Sequence, residues 1–204
     1  MTFRLTICVC LLLTVVFGCR NHPPAEQSER KAIDTLFIYA VSNFSKPLLL
    51  QTQQELAKHF KCIKAKTIAQ LPTTAYYAAR KRYIADSIIS YFAKQTPTNA
   101  VSILLTHFDI STKKGTIPNY GIMGLGFCPG RACVVSSFRL KKENLHAQFY
   151  KLCLHELGHT AGLPHCKVKT CFMRDAEGKN HFDEESGFCS NCKTYLNKKA
   201  WNLE

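Results

Sequence analysis

The sequence predicts an α/β (α+β) domain, in which helices pack on a mixed, twisted sheet. Short apolar runs of strand length alternate with stretches whose apolar residues recur at helical spacing, and this order is typical of a layer with a largely parallel sheet. The 204 residues, 46% hydrophobic and 20% charged, are enough for one domain with its own core. The composition excludes a disordered tail and a small disulfide scaffold.

Apolar spacing and turn residues indicate the individual elements of this layer. Ser45 and Pro47 mark a helix start, and the alternation of apolar residues with Lys64 and Lys66 is typical of a half-exposed strand. The expected elements, in chain order, are a strand at 35–41, a helix at 45–60, a strand at 63–67, a long amphipathic helix at 77–92 and a strand at 101–110.

Glycines punctuate the stretch that follows, between residues 115 and 130. Two further strands are predicted in and just after this stretch, at 120–127 and 132–138, and they are expected to include the edge of the sheet. We expect a peptide to add antiparallel to the strand at 132–138, in the manner of strand addition. Asn144 is expected to cap a helix that runs through Leu157 and turns its apolar residues inward.

The N-terminal segment has the pattern of an export signal. Arg4 precedes an apolar run at 5–17, which is too short to cross a membrane comfortably and ends in Gly18-Cys19. A cysteine at this point resembles the lipobox of bacterial lipoproteins, with Cys19 as the lipid anchor; the alternative is an ordinary signal peptide cleaved nearby. We expect a signal at 1–19, a polar tether at 20–33, a folded domain at 34–204, and an exported, membrane-anchored lipoprotein facing the periplasm or the cell exterior.

The chain carries a formal net charge of +13. Its basic residues are scattered along the sequence and are not interleaved with aromatic residues as in a nucleic-acid platform. We therefore expect a solvated basic face, no nucleic-acid partner and a monomeric chain.

The segment from His155 to His165 carries residues that suit a catalytic metal. Residues four apart in a helix lie one above the other, so His155 and His159 can present two imidazoles to one zinc ion. Glu156 lies one step around the helix, where it can act as general base on a zinc-bound water without being a ligand. Gly162 allows a positive φ, so the helix can stop and His165 can return as third ligand.

Three protein ligands leave a fourth position for water and substrate, as in catalytic rather than structural zinc sites. Zinc lowers the pKa of such a water to about 7. A buried helix with incidental histidines would not explain Gly162 and His165 at these spacings. The pattern therefore favours a zinc-dependent peptidase.

Four cysteines follow directly, with C-x4-C and C-x2-C spacing: Cys166, Cys171, Cys189 and Cys192. Such chelating pairs are typical of a closed structural zinc site, while the alternative in an exported protein is two disulfides. Among the other cysteines, Cys128 and Cys133 flank a Pro-Gly turn that could carry a small disulfide, and Cys153 is expected to be a buried thiol.

The motif from His155 to His165, the cysteine pairs and Met173 together resemble one family, the archaemetzincins. The resemblance implies a compact metzincin fold with the active-site helix at the cleft floor and a small zinc-stabilised C-terminal subdomain. It implies aminopeptidase or small-peptide hydrolysis on peptide or protein substrates, with two zinc ions per chain. Its catalytic zinc would be bound by His155, His159 and His165 with Glu156 as base, and its structural zinc by Cys166, Cys171, Cys189 and Cys192.

A second hypothesis is a non-catalytic zinc-binding lipoprotein that uses the same fold to bind peptides. The intact Glu156 argues against it, because a protein that only binds peptides has no use for a general base at this position.

Overall fold

The structure, a computed structural model, describes residue 33 and residues 35–203. The predicted export signal with Cys19, and the tether up to residue 32, lie outside the described residues. No helix in this part of the chain is long and apolar enough to cross a membrane.

Strands and helices alternate in the first half of the domain, and the second half ends in two helices. The elements are β1 (Thr35–Val41), α1 (Lys46–Leu56), β2 (Cys62–Ile68), β3 (Tyr76–Tyr77), β4 (Arg82–Ile84), α2 (Ala85–Gln95), β5 (Ala100–Thr106), β6 (Ile110–Lys114), β7 (Ile117–Ile122), β8 (Gly124–Gly126), β9 (Ala132–Ser136), α3 (Leu145–Ala161) and α4 (Ser190–Asn197).

The main sheet has five strands in the order β2-β1-β5-β9-β8. The first four are parallel to their neighbours, and β8 pairs antiparallel with β9. Every residue of the central strand β5 is buried, as expected for a parallel strand covered on both faces. Four other strands form a second sheet in the order β3-β4-β6-β7. The predicted α/β class with a largely parallel sheet is confirmed.

The helix predicted at 77–92 was wrong over its first part, because α2 begins only at Ala85. Residues before it form β3, a 3-10 turn and β4, with Lys81 in the left-handed conformation at φ 50°. Tyr83 pairs with Ile110 across β4 and β6, and Arg82 forms an ion pair with Asp109 at 2.9 Å. These long-range contacts outweigh the helical spacing of the apolar residues.

The strand predicted at 101–110 is two strands, β5 and β6, which belong to different sheets. The break between them is stabilised by side chains: Thr106 Oγ1 accepts a hydrogen bond from the Phe108 N–H, and the Ser136 hydroxyl donates to the Phe108 carbonyl. These two bonds satisfy the backbone N–H and carbonyl of Phe108 where the chain leaves the main sheet.

The predicted edge strand at 132–138 was also wrong. The strand formed there, β9, lies between β5 and β8 and is buried at every residue. The edge belongs to β8, whose outer side pairs with no other strand within residues 35–203. Any strand addition at this end of the sheet therefore involves β8.

Helix α3 packs against β9 and β8 and carries the metal motif. Phe149, Leu152 and Leu157 are buried on its inner side, as the apolar spacing predicted. Asn144 stands at the N-cap position, but its side-chain amide donates to Asp183 and forms no capping bond. The helix ends at Gly162 with φ 104°, the left-handed conformation that glycine adopts without steric cost.

Candidate active site and metal centres

The turn at Gly162 brings His165 back to the two helical histidines. One ring nitrogen from each of His155, His159 and His165 lies within 4.8 Å of the others. His155 Nε2 and His159 Nε2 are 3.0 Å apart. The histidines predicted from spacing therefore converge on one point.

Hydrogen bonds from Nδ1 orient two of the rings, and the third has its Nδ1 beside a carboxylate. His155 Nδ1 donates to the carbonyl of Phe172 at 2.7 Å, and His159 Nδ1 donates to the carbonyl of Leu163 at 2.8 Å. His165 Nδ1 lies 3.2 Å from Asp175 Oδ2. Each of these contacts uses Nδ1 and leaves the lone pair on Nε2 free, which is how histidine ligands of zinc are held.

Burial keeps the helical imidazoles neutral. It lowers the pKa of His155 to about 3, with a further contribution from His159, and it also lowers the pKa of His159. A neutral imidazole is the form that binds a metal. The donor set, one ring nitrogen from each of three converging histidines, fits a zinc ion with an open fourth position.

Glu156 lies beside the histidines and against the edge strand. Its side chain is 5% exposed, and burial raises its pKa to about 8 in the chain alone. A cation held by the adjacent histidines would favour the carboxylate form and lower this pKa. Gly124 allows the close approach of strand and carboxylate, since a Cβ at that position would lie 2.5 Å from Glu156 Oε1.

Met173 lies directly beneath the motif helix. It is fully buried, and a Cβ on Gly158 would lie 2.5 Å from its Sδ. The Cys166 N–H donates to the Met173 carbonyl at 2.7 Å, so the turn carrying Met173 is joined to the segment after His165. Met173 is thus placed where the family resemblance expects its methionine.

The sulfur atoms of Cys166, Cys171, Cys189 and Cys192 all lie within 4.8 Å of one another. All four thiols are free, and Cys166 Sγ is 3.7 Å from Cys189 Sγ, well beyond a disulfide bond of about 2.05 Å. The alternative of two disulfides is therefore wrong for this structure. Four sulfurs around one point fit a closed tetrahedral zinc site.

The predictions made for the remaining cysteines have different outcomes. Cys153 is a buried free thiol, as predicted. The disulfide considered between Cys128 and Cys133 is absent, because both thiols are free. Cys133 is buried in β9, and the Cys128 thiol donates to the Leu163 carbonyl at 3.3 Å. Burial raises the pKa of Cys133 well above its usual value, which keeps it an unreactive thiol.

A cavity of about 980 Å³ opens above the histidines. One wall comes from the second sheet and β8 and includes Arg82 and Lys114, together with Arg139 from the segment between β9 and α3. The opposite stretch of lining comes from residues 174–185 after Met173. The volume suits several residues of an extended peptide.

Sequence reasoning missed three contributors to this site. Asp175 holds His165, Gly124 makes room for Glu156, and Arg139 lines the cavity. The dipeptide Arg174-Asp175 after Met173 and the glycines around residue 124 were visible signals for the first two. Arg139 had no local signal, because its partner Asp109 lies 30 residues earlier.

Comparison with known proteins shows the family of this chain. The model of peptidase family M54 matches residues 41–198. Archaemetzincin from Halobacterium salinarum is 31% identical over 136 residues, covering 60% of this chain and 76% of that protein. Archaemetzincin from Nanoarchaeum equitans is 33% identical over 132 residues, covering 64% of this chain and 71% of that protein.

Two solved structures share the fold. Archaemetzincin from Methanopyrus kandleri has a TM-score of 0.68 at 26% identity and covers 84% of this chain and 98% of its own. Archaemetzincin from Archaeoglobus fulgidus, complexed with malonate, has a TM-score of 0.67 at 25% identity and covers 79% and 99%. The compact metzincin-like fold is thus confirmed. The chain belongs to peptidase family M54, the archaemetzincin family of zinc metallopeptidases.

Proposed function

We propose that this chain hydrolyses peptide bonds in short peptides, with a catalytic zinc held by His155, His159 and His165. The observation that supports this most directly is the convergence of three oriented imidazoles beside the buried carboxylate of Glu156, at the base of a peptide-sized cavity. A peptide enters the cavity, and its scissile carbonyl lies between the histidines and Glu156.

Zinc supplies a Lewis acid that makes water a usable nucleophile at neutral pH and polarises the carbonyl. Glu156 takes the proton of the attacking water and passes it to the leaving amine. Gly124 and helix α3 hold the carboxylate in place for both transfers. The Nδ1 hydrogen bonds of His155 and His159 and the contact of His165 with Asp175 keep the three imidazoles from turning away during turnover.

The substrate adds antiparallel to the free edge of β8. This edge borders the cavity, and Gly124 at its start touches the Glu156 carboxylate. Backbone hydrogen bonds along an edge strand bind a peptide with little dependence on its sequence. They also hold the scissile bond at a fixed distance from the base.

A second zinc, held by Cys166, Cys171, Cys189 and Cys192, stabilises the small C-terminal subdomain. Its sulfurs connect the segment after His165 with the start of α4. Because the carbonyls of Phe172 and Met173 come from the same segment, this site also supports the orientation of His155 and the turn at Met173. The chain thus binds two zinc ions with different roles.

The specificity and location are also part of this proposal. The family resemblance favours removal of N-terminal residues, and the segment at 1–19 favours export with Cys19 as a lipid anchor that holds a monomeric enzyme at the membrane. Mass spectrometry of the native N-terminus tests the anchor: a diacylglycerol on Cys19 supports it, and an unmodified terminus beyond residue 19 contradicts it.

The function is tested with a library of short peptides, half of them acetylated at the N-terminus, incubated with the zinc-loaded protein. Mass spectrometry should find cleavage products, and chelation of the metal should abolish them. Loss of cleavage on acetylation would indicate an aminopeptidase, and equal cleavage an endopeptidase. Peptide binding without any cleavage would favour the alternative of a non-catalytic zinc-binding protein and contradict the proposal.

A further inference from the structure

Two arginines share one buried carboxylate at the wall of the cavity. Arg139 donates to Asp109 through Nε at 3.0 Å and through Nη2 at 2.8 and 3.0 Å. Arg82 Nη2 lies 2.9 Å from Oδ2 of the same carboxylate. Asp109 is 9% exposed, so its charge is largely removed from water. One negative charge between two positive ones leaves this wall with an excess of positive charge.

The two arginines have different surroundings. Arg82 is 17% exposed, and its Nη1 donates to the carbonyl of Asn119, so it fastens β4 to β7 and neutralises Asp109. Arg139 is 35% exposed, and its Nη1 has no hydrogen-bond partner within the described range 35–203. Arg139 therefore keeps Nη1 available as a donor, on a guanidinium whose orientation is held by its bonds to Asp109 and whose Cζ lies 5.8 Å from the centre of the Phe138 ring.

Arg139 lies at a defined distance from the catalytic base. Its guanidinium rests against Gly121, where a Cβ would overlap Nη2, just as Glu156 rests against Gly124. Three residues of extended chain span at most about 10 Å. Both side chains line the same cavity. Arg139 is therefore within reach of a peptide residue two or three positions from the one beside Glu156.

We propose that Arg139 binds a carboxylate of the substrate on the C-terminal side of the scissile bond, an inference that rests on the proposed peptidase function. A peptide antiparallel to β8 runs from Gly126 toward Gly124, so its C-terminal part faces the end of β7, where Arg139 lies against Gly121. The planar guanidinium matches a carboxylate. The group is either the terminal carboxylate of a short peptide or the side chain of Asp or Glu two to three residues beyond the cleaved bond.

A purely structural role for this cluster predicts something different. A buried carboxylate is already satisfied by one bidentate arginine, and in that case Arg139 would affect stability but not ligand choice. The deciding readout is therefore the ratio of binding between charged and neutral peptides. Overall stability or activity does not separate the two roles.

The experiment measures peptide binding to Glu156→Gln by calorimetry, because this variant is expected to hydrolyse the peptide only slowly during the titration. Each peptide is compared with its C-terminal amide, and a second set replaces Glu by Gln at the second or third position after the expected cleavage site. A charge-assisted hydrogen bond predicts that one of the carboxylate forms binds about tenfold more tightly, with a smaller ratio at high salt. Which set shows the preference identifies the source of the carboxylate.

Variants in the same background then assign the preference to Arg139. Arg139→Gln and Arg139→Lys should reduce the ratio to near one, the latter although it keeps the charge, because lysine lacks the fork that orients Nη1. Gly121→Ala keeps every charge but displaces the guanidinium, and it should also reduce the ratio. Arg80→Gln, an exposed arginine outside the cavity lining, removes the same charge and should leave the ratio unchanged.

Equal binding of acid and amide in both peptide sets overturns the proposal, and so does a preference that survives Arg139→Gln and Gly121→Ala. A carboxylate preference in the binding assay without cleavage by the wild type would leave this inference standing and refute the peptidase function. Cleavage by the wild type without any carboxylate preference would do the reverse.

Discussion

Replacement of Gly124 by alanine should separate catalysis from folding at this site. The added Cβ would lie 2.5 Å from Glu156 Oε1, 2.7 Å from Cγ and 2.9 Å from Cδ. Ordinary contacts begin near 3.4 Å, so the carboxylate has to move by roughly 1 Å, a displacement that can lower a rate about 100-fold. This corresponds to about 2.7 kcal/mol of transition-state stabilisation.

The assay is kcat/KM on a cleaved peptide, together with zinc content and the circular dichroism spectrum. We expect a large fall in kcat with unchanged zinc, because Gly124 touches the base and none of the metal ligands. Gly187→Ala is the matched control, since its Cβ would have nothing within 4 Å. Wild-type kcat/KM for Gly124→Ala, or an equal loss for Gly187→Ala, would refute the reasoning.

Three further predictions concern stability and metal content. Gly158→Ala places a Cβ 2.5 Å from Met173 Sδ and should lower the free energy of unfolding by about 1–3 kcal/mol in urea denaturation; an unchanged midpoint contradicts this contact. Burial raises the pKa of Glu185 from 4.5 to about 7. The folded chain therefore favours the protonated carboxyl, and the free energy of unfolding decreases as pH rises through that interval and this group ionises. Glu185→Gln should accordingly be more stable than wild type at pH 8, by up to about 3 kcal/mol, and no more stable below pH 4, whereas equal melting temperatures at pH 8 would exclude the effect. Cys171→Ser should lose one zinc per chain in metal analysis and melt at a lower temperature, while Cys62→Ser, away from the cluster, keeps both; retention of all zinc by Cys171→Ser would exclude a zinc site at these cysteines.

The convergence of the three histidines and of the four cysteines could be predicted because each cluster is local in sequence. His155 and His159 share one helix face, Gly162 ends that helix, and His165 follows three residues after Gly162. The cysteine pairs are equally close in sequence. Spacing and one positive-φ glycine were therefore sufficient to predict which side chains meet.

The wall of the cavity could not be predicted because its contacts are distant in sequence. Arg139 and Asp109 are 30 residues apart, and Arg82 reaches Asp109 from another strand. Gly124 meets Glu156 only because β8 packs against α3, which periodicity does not reveal. Position in the sheet is equally non-local: the apolar run of β9 suits an edge or an inner strand, and only its pairing with both β5 and β8 makes it inner.

The most direct test of the proposed mechanism is the rate of peptide hydrolysis by Glu156→Gln at full zinc occupancy. Glutamine keeps the shape of the side chain but cannot accept the proton of the attacking water. We predict a fall in kcat of about 10²- to 10⁴-fold relative to the wild type, with zinc content unchanged. Equal rates for the two proteins would contradict the role of Glu156 and with it the proposed function of this site.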